Sequence, residues 1–319
     1  MNSPLLVSVC LITYNHEDYI SEALNSILMQ EVDFSWEIII ADDFSSDRTR
    51  EIILEYKNKY PELIRLLFQK NNIGAGKNFV ELINSARGKY IAYIEGDDYW
   101  TDPLKLQKQF NFLEEHSEFS LCYHKIKWVY TYESPDFDPR KESNPQDHPV
   151  STIEDVLEKG WFIRSCSIFY KNFSLPPKFE DLYIGDYPLH VLLAYNGKLG
   201  FIPEVMAVYR INNKGASETM FVNNSTNDLK IRLIKDIQMW SYINKYTNYE
   251  FEQFCQRKIA WYIASYFKLL LNNRRSTSLA DFSILFKELR DYHSFYGTLT
   301  ITKQLLNLIL RRYFTGNKS

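Results

Sequence analysis

Three carboxylates lie within four residues at the end of an apolar run: Glu95, Asp97 and Asp98 in "YIAYIEGDDYW". Neighbouring carboxylates repel each other unless a cation or hydrogen-bond donors compensate their charge. Oxygen ligands suit Mg²⁺ or Mn²⁺, which commonly keep water ligands and bridge to substrate phosphates. A helix-start cluster is the structural alternative, but Asp102 alone would serve as that cap. The pattern therefore favours a divalent cation site.

Two further acidic segments could take part in chemistry. Asp42 and Asp43, in "ADDFSSD", could accept hydrogen bonds from ribose hydroxyls or a base imide, although taken alone they are more typical of a helix cap. Asp186, in "YIGDYPLH", begins a helical pattern. It is either a first-turn acid or a general base that takes a proton from an alcohol.

These acids follow elements that alternate in type. Continuous apolar runs predict buried strands, and apolar residues at helical spacing predict helices between them. This alternation is typical of an α/β fold with a mostly parallel sheet covered on both faces, whose ligands bind at the carboxyl ends of the strands. We therefore expect the chemistry in the loops after Thr13, Asp42 and Glu95. The predicted strands are 5–13, 36–42, 63–69 and 89–98, and the predicted helices are 17–30, 45–60 and 75–86.

The remaining chain carries weaker signals. Ser45 or Ser46 is expected to cap the second helix, and Asp102 the fourth. Residues 162–170 are predicted as a strand, 133–150 as an exposed loop, and the chain from about 227 as helical.

Composition excludes several classes of protein. The 319-residue chain has a formal net charge of −3, which makes a nucleic-acid partner a poor expectation. Its four cysteines lie far apart without a C-x-x-C pair, and they predict buried thiols in a reducing compartment. No apolar run approaches the length of a membrane span. Neither G-x-G-x-x-G nor a P-loop motif is present, which argues against standard dinucleotide and P-loop sites.

Four segments in order resemble the family-two glycosyltransferases with the GT-A fold. They are "VSVCLITYNHEDYISEALNSILMQ", "WEIIIADDFSSDRTREII", "NNIGAGKNFVELINSARGKYIAYIEGDDYWTDPLKLQKQ" and "GDYPLHVLLAYNGKLGFIPEVMAVYRINNKGAS". The resemblance covers roughly residues 5 to 217 and implies inverting transfer of a sugar from a nucleotide-diphosphate-sugar donor.

The resemblance also implies roles for single residues. Asp186 falls where the family has its catalytic base. Asp97 and Asp98 would hold Mn²⁺ or Mg²⁺ in place of the D-x-D metal site, whose first acid is here Glu95. Many relatives have a histidine where this chain has Asn212. The residues implied to contact the nucleotide-sugar are Thr13, Tyr14, Asn15, Asp42, Asp43, Gly74, Lys77, Arg87, Glu95, Asp97 and Arg210.

The expected organisation is a catalytic domain at 1–217 and a helical region at 218–319 that serves acceptor binding, dimerisation or contact with a membrane surface. We expect a cytoplasmic protein with a glycan or lipid-linked acceptor, and the inner face of the plasma membrane is one place where residues 298–319 could lie. Two other functions stay open at this point. They are a sugar-phosphate nucleotidyltransferase and a nucleotide-sugar-binding module without catalysis.

Overall fold

The computed structural model describes residues 4–131, 149–182, 185–212 and 225–272. The chain forms two compact units, residues 1–218 and 219–319. The catalytic candidates of the sequence analysis all lie in the first unit.

The first part of the first unit is a parallel sheet with crossover helices. The strands are β1 (Val7–Thr13), β2 (Trp36–Asp42), β3 (Ile64–Phe68) and β4 (Tyr90–Glu95), connected by helices α1 (Ile20–Leu28), α2 (Thr49–Lys59) and α3 (Ala75–Ser85). Strands β1, β2 and β4 are mostly apolar and buried because helices cover the sheet on either side, whereas β3, at the edge of the sheet, is only partly buried.

The second part adds a mixed set of strands to the same sheet. Among the described residues the strand order is β3-β2-β1-β4-β8-β6-β9-β5, and β7 pairs with β9. Strand β8 is antiparallel to β4 and β6, whereas β6 and β9 run parallel. The added elements are β5 (Tyr99–Trp100), α4 (Lys105–Glu115), β6 (Phe119–Tyr130), β7 (Val150–Ser151), α5 (Ile153–Lys159), β8 (Phe169–Lys171), α6 (Asp186–Asn196) and β9 (Lys198–Ile211).

The strand order reverses at β1, which has β2 on one side and β4 on the other. In register, Thr13 pairs with Asp42 and Ile12 pairs with Glu95. The carboxyl ends of three strands therefore meet where their following loops diverge, which is the usual ligand position in such sheets. The turn at the end of β4 lies at this point. It is here called the acid turn and carries Glu95, Asp97 and Asp98.

The predicted strand at 162–170 is wrong over most of its length. Residues Ser165–Ser167 form a 3₁₀ turn, and only Phe169–Lys171 pair as a strand. The Nε1 atom of buried Trp100 donates to the Cys166 carbonyl at 3.0 Å, so this carbonyl bonds a side chain and not a neighbouring strand.

Helix starts also differ from expectation. Asp47, and not Ser45 or Ser46, accepts the Thr49 backbone N–H at the start of α2, at 3.0 Å from Oδ1. Asp102 accepts the Leu104 backbone N–H at 2.8 Å, so it does stabilise the turn that leads into α4.

The four cysteines are buried and free, as the sequence predicts. Burial raises the pKa of each thiol above its ordinary value. They are therefore packing residues.

The described part of the second unit consists of α7 (Thr226–Tyr246) and α8 (Glu252–Asn272), which pack together. Trp240 and Phe254 contact each other with ring centroids 5.6 Å apart. Cys255, Ile259 and Tyr266 of α8 are buried. None of the helices described is both long enough and apolar enough to traverse a bilayer.

Candidate functional site

The turn after β4 is held from two sides. The Gly96 backbone N–H donates to the Ile12 carbonyl at 2.9 Å, which extends the pairing with β1. From β9, the Arg210 backbone N–H donates to Asp98 Oδ1 at 2.8 Å, and its Nη1 donates to the Asp97 carbonyl at 2.5 Å. This turn is therefore fixed by its own strand neighbour and by a residue more than a hundred positions later.

Asp97 has Asn212 and His16 as side-chain neighbours. Its Oδ2 accepts from Asn212 Nδ2 at 2.8 Å, and the Nε2 atom of His16 lies 3.9 Å from that oxygen. Its Oδ1 is buried and accepts no hydrogen bond from any described residue, and the same holds for Oδ2 of Asp98. Buried oxygens without donors are costly unless a ligand pairs with them.

The two orphaned oxygens fit a divalent cation chemically. Within the described ranges, no three or more His, Cys, Asp or Glu side chains are grouped so as to enclose a metal. Magnesium-type sites need no such cage, because one or two carboxylates combine with water and substrate phosphates. Asp97 and Asp98 could supply that protein share.

The acids are electrostatically strained without a cation. Burial, together with the negative charges of Asp97 and Asp186, raises the pKa of Glu95 to about 8. Burial and the same turn's carboxylates also raise the pKa of Asp98 well above its ordinary range. A cation would favour the ionised form of each.

Gly96 is required by close packing. A Cβ atom there would lie 2.7 Å from Thr13 Oγ1 and 2.9 Å from His16 Nδ1. The loop after β1 thus packs directly on the backbone between Glu95 and Asp97.

Asp42 and Asp43 do not face this turn as free acceptors. Asp42 is fully buried and pairs with Arg50 and Ser45. The two oxygens of Asp43 accept the backbone N–H groups of Ile73, at 2.7 Å, and Gly74, at 2.9 Å. Burial is the main cause that raises the pKa of Asp43. Both acids thus connect the loops around the expected nucleotide position.

Of the three residues at the end of β1, Thr13 is buried, Tyr14 is exposed and Asn15 binds a neighbouring loop. Thr13 is buried, and its Oγ1 lies 3.2 Å from His16 Nδ1. Asn15, at a φ of 54°, accepts the Ser46 backbone N–H at 2.8 Å. Tyr14 is 44% exposed and is available to a ligand.

Gly74, Lys77 and Arg87 occupy three different settings. Gly74 has a φ of 89°, which favours glycine, and it precedes α3; Lys77 is exposed on the first turn of that helix. The Arg87 backbone N–H contacts Ser8 and Glu37 near the amino ends of β1 and β2. Because β4 separates Arg87 from the acid turn, it lies roughly 20 Å of strand away. The structure does not bring Arg87 to the other candidates.

Asp186 lies within electrostatic reach of Glu95, whose pKa it helps to raise. Its Oδ1 accepts two hydrogen bonds, from the Tyr187 backbone N–H at 2.8 Å and from Trp161 Nε1 at 3.2 Å. Trp161 is nevertheless 41% exposed. A held carboxylate beside an open aromatic surface suits a proton acceptor at a substrate cleft.

Arg210 is already engaged by protein groups. Its Nη2 pairs with Glu22 at 2.5 Å, and its guanidinium lies over the rings of Tyr19 and Tyr99, 4.7 and 5.1 Å from their centroids. It therefore works here as a clamp on the acid turn. Trp100, next to Tyr99 in the chain, is almost fully buried and belongs to the core.

Sequence reasoning missed two residues and undervalued a third. His16 and Trp161 carry no motif, although "TYNH" comes at the end of the first strand and Trp161 is an aromatic residue directly after Gly160. Asn212, which lacks the charge of a histidine, nevertheless donates a hydrogen bond to Asp97.

Sequence comparison decides the family. The family model for glycosyl transferase family 2 matches residues 8–166. A protein of Methanocaldococcus jannaschii named an uncharacterized glycosyltransferase is 30% identical over 274 residues, which cover 83% of this chain and 87% of that protein. The chain belongs to glycosyltransferase family 2. Uncharacterized mycobacterial relatives are 40% identical over 213 residues, and the match covers 60% of their length.

Solved structures agree with the GT-A fold. S. aureus TarS 1–349 in complex with UDP-GlcNAc has a TM-score of 0.54 at 18% identity, covering 91% of this chain and 93% of that one. The mannosyltransferase PcManGT from Pyrobaculum calidifontis, in complex with GDP-Man and Mn²⁺, has a TM-score of 0.53 at 15% identity, covering 98% of this chain and 90% of that one. The predicted fold class is confirmed.

Replacing Gly96 with alanine should disturb the packing of the fold at this turn. The added methyl group must displace Thr13 or His16, so we expect a loss of about 1–3 kcal/mol in the free energy of unfolding. Urea unfolding of Gly96→Ala and of the larger Gly96→Ser measures it. Unchanged midpoints for both variants would contradict the close packing.

Glu95→Gln should change how stability depends on pH. The folded-state pKa of Glu95, about 8, lies above the value of 4.5 taken for an unperturbed glutamate, so the folded protein keeps a proton that the unfolded chain releases. Wild-type stability should therefore fall as the pH rises from about 5 to 8, and the variant should lose less. Urea midpoints with chelator present, at several pH values, measure the slopes. Exposed Glu55→Gln is the control, and equal slopes for wild type and Glu95→Gln would contradict the raised pKa.

Proposed function

We propose that the protein is an inverting, metal-dependent glycosyltransferase that moves a sugar from a nucleotide-diphosphate-sugar to an acceptor hydroxyl in surface polysaccharide or glycan assembly. The observation that carries the proposal is the approach of Asp186 to the acid turn of Glu95, Asp97 and Asp98. A base and an acid-lined cation position would then act on one bound donor, as single-step sugar transfer requires.

The donor would lie along the carboxyl ends of β1, β2 and β4. The loops tied together by Asp43 and Asn15 would form the nucleotide end, with Tyr14 and Lys77 exposed to it. Asp97 and Asp98 would hold Mn²⁺ or Mg²⁺, which when bound offsets the charge on the departing nucleoside diphosphate.

Asp186 would act as the general base. Both of the hydrogen bonds that described residues donate to Asp186 go to Oδ1, so Oδ2 is the oxygen that would take the acceptor's proton. The acceptor oxygen then attacks the anomeric carbon as the bond to the diphosphate breaks, which inverts its configuration. The proton ends on Asp186, and no covalent intermediate with the protein forms.

The other two functions are weaker proposals. Family membership favours glycosyl transfer over nucleotidyl transfer. A binding module without catalysis would not need a carboxylate held beside the acid turn by an exposed tryptophan.

On the acceptor side we propose a glycan or lipid-linked acceptor. Residues 133–148 of the predicted loop and the whole of 298–319 lie outside the described residues, so the membrane-surface and homodimer expectations remain proposals. Assignment of residues 1–217 as catalytic and 218–319 as an accessory helical region is likewise proposed.

A donor screen tests the function directly. Purified protein is incubated with nucleotide sugars, beginning with UDP-GlcNAc and GDP-Man because two similar folds bind them, and release of nucleoside diphosphate is measured with Mn²⁺, Mg²⁺ or chelator. NMR of the product gives the anomeric configuration. Retention of configuration would contradict the inverting mechanism, and turnover unaffected by chelator would contradict metal dependence.

Asp186→Asn should lower kcat by about 10²–10⁴-fold because it removes the base, while the donor Kd stays near the wild-type value. Sugar transfer and calorimetric binding measure the two quantities. The matched control is Asp33→Asn, the same change at an exposed residue before the amino end of β2, away from the acid turn. Full transfer by a folded Asp186→Asn variant would show that another group acts as base.

Trp161→Phe tests whether the hydrogen bond from Trp161 orients Asp186, because the variant keeps an aromatic ring but has no N–H donor. The ring remains but the donor to Asp186 is lost, so we expect kcat to fall about 5- to 20-fold. The exposed Trp261→Phe is the control. An unchanged kcat in Trp161→Phe would mean that Trp161 does not position Asp186.

A further inference from the structure

His16 enters the acid turn from the loop after β1. Its backbone N–H donates to Thr49 Oγ1 at 2.8 Å, which fixes the loop, and its ring lies against the backbone of Gly96. The imidazole is about four-fifths buried, with 18% of the side chain exposed. Neither motif reasoning nor the proposed mechanism uses it.

The ring has a defined orientation. Nδ1 lies 3.2 Å from Thr13 Oγ1, within hydrogen-bonding distance, while Nε2 points to Asp97. If Nδ1–H donates to the threonine hydroxyl, Nε2 presents its lone pair to the acid turn. Metal-binding histidines are usually fixed in this way by a hydrogen bond at the second ring nitrogen.

The gap between His16 and Asp97 suits a shared cation. At 3.9 Å, Nε2 and Asp97 Oδ2 are too far apart for a hydrogen bond. Cation–ligand distances of about 2.0–2.2 Å would allow one ion to contact both side chains. Asn212 holds Oδ2 on the protein side, and Oδ1, buried and without a donor among the described residues, remains to be satisfied.

We propose that His16 is a protein ligand of the divalent cation, bound through Nε2 together with the Asp97 carboxylate, and that its imidazole makes the site favour Mn²⁺ over Mg²⁺. The inference rests on the proposed metal-dependent function. Imidazole nitrogen binds transition-metal ions readily, whereas Mg²⁺ is bound through oxygen. The chain would thus supply a nitrogen ligand from its first loop, far in sequence from Asn212.

Mn²⁺ provides a readout independent of activity. Full-length protein labelled with ¹⁵N-histidine is loaded with Mn²⁺ and UDP or GDP, and pulsed electron paramagnetic resonance detects nitrogen bound to the metal. We expect an isotope-dependent histidine coupling in wild type and in exposed His116→Ala, and its loss in His16→Ala. His16→Asn, which keeps a polar group near Thr13 but cannot reach Asp97, should lose it too.

Metal affinity gives the second measurement. Titration of Mn²⁺, and competition by Mg²⁺, should show about a 10-fold or greater loss of Mn²⁺ affinity in both His16 variants and a smaller loss for Mg²⁺. Circular dichroism verifies folding, and if both variants misfold the labelled wild-type spectrum still decides.

Three outcomes are distinguishable. A histidine coupling that depends on His16 supports the inference. Mn²⁺ bound with the nucleotide, dependent on Asp97 but without histidine coupling, overturns the role of His16 and leaves the proposed function intact. Absence of Mn²⁺ binding with either nucleotide overturns both this inference and metal dependence, while the donor screen still tests sugar transfer.

Discussion

The hydrogen bonds from Arg210 to the acid turn are the constraint on which the candidate site depends. They join the end of β4 to β9 across 112 and 113 positions of sequence. Charge-assisted bonds of this kind are short and directional, so they fix the backbone of the turn as well as its charge. The ion pair with Glu22 also joins the guanidinium to α1. Arg210 therefore fixes the position of the turn relative to both the sheet and its first helix.

This arrangement keeps carboxylates together at a cost in stability. Burial and mutual repulsion raise the pKa values of Glu95 and Asp98, and two acid oxygens lack donors among the described residues. An apolar or amide-filled turn would fold more easily, so the acids are best explained by the ligand that they would receive. Thr13, at the end of β1, and His16, in the loop that follows, pack against the backbone of this turn, because Gly96 has no side chain to keep them away.

The candidate base comes from a separate segment. Asp186 begins α6, and Trp161 follows α5, yet the two side chains are hydrogen-bonded beside the acid turn. Donor and acceptor functions would therefore be supplied by different parts of the first unit, with the parallel strands holding the donor end.

The sequence by itself determined the alternation of strands and helices and the placement of the acids after β4, because hydrophobic period and strand ends are local properties. Only the tertiary structure decided which polar residues share a site. It placed Arg87 at the far end of β4, satisfied Asp43 within the loops, and brought His16 and Trp161 to the acids. Those contacts depend on strand order and on packing between distant segments, and no local pattern of residues encodes them.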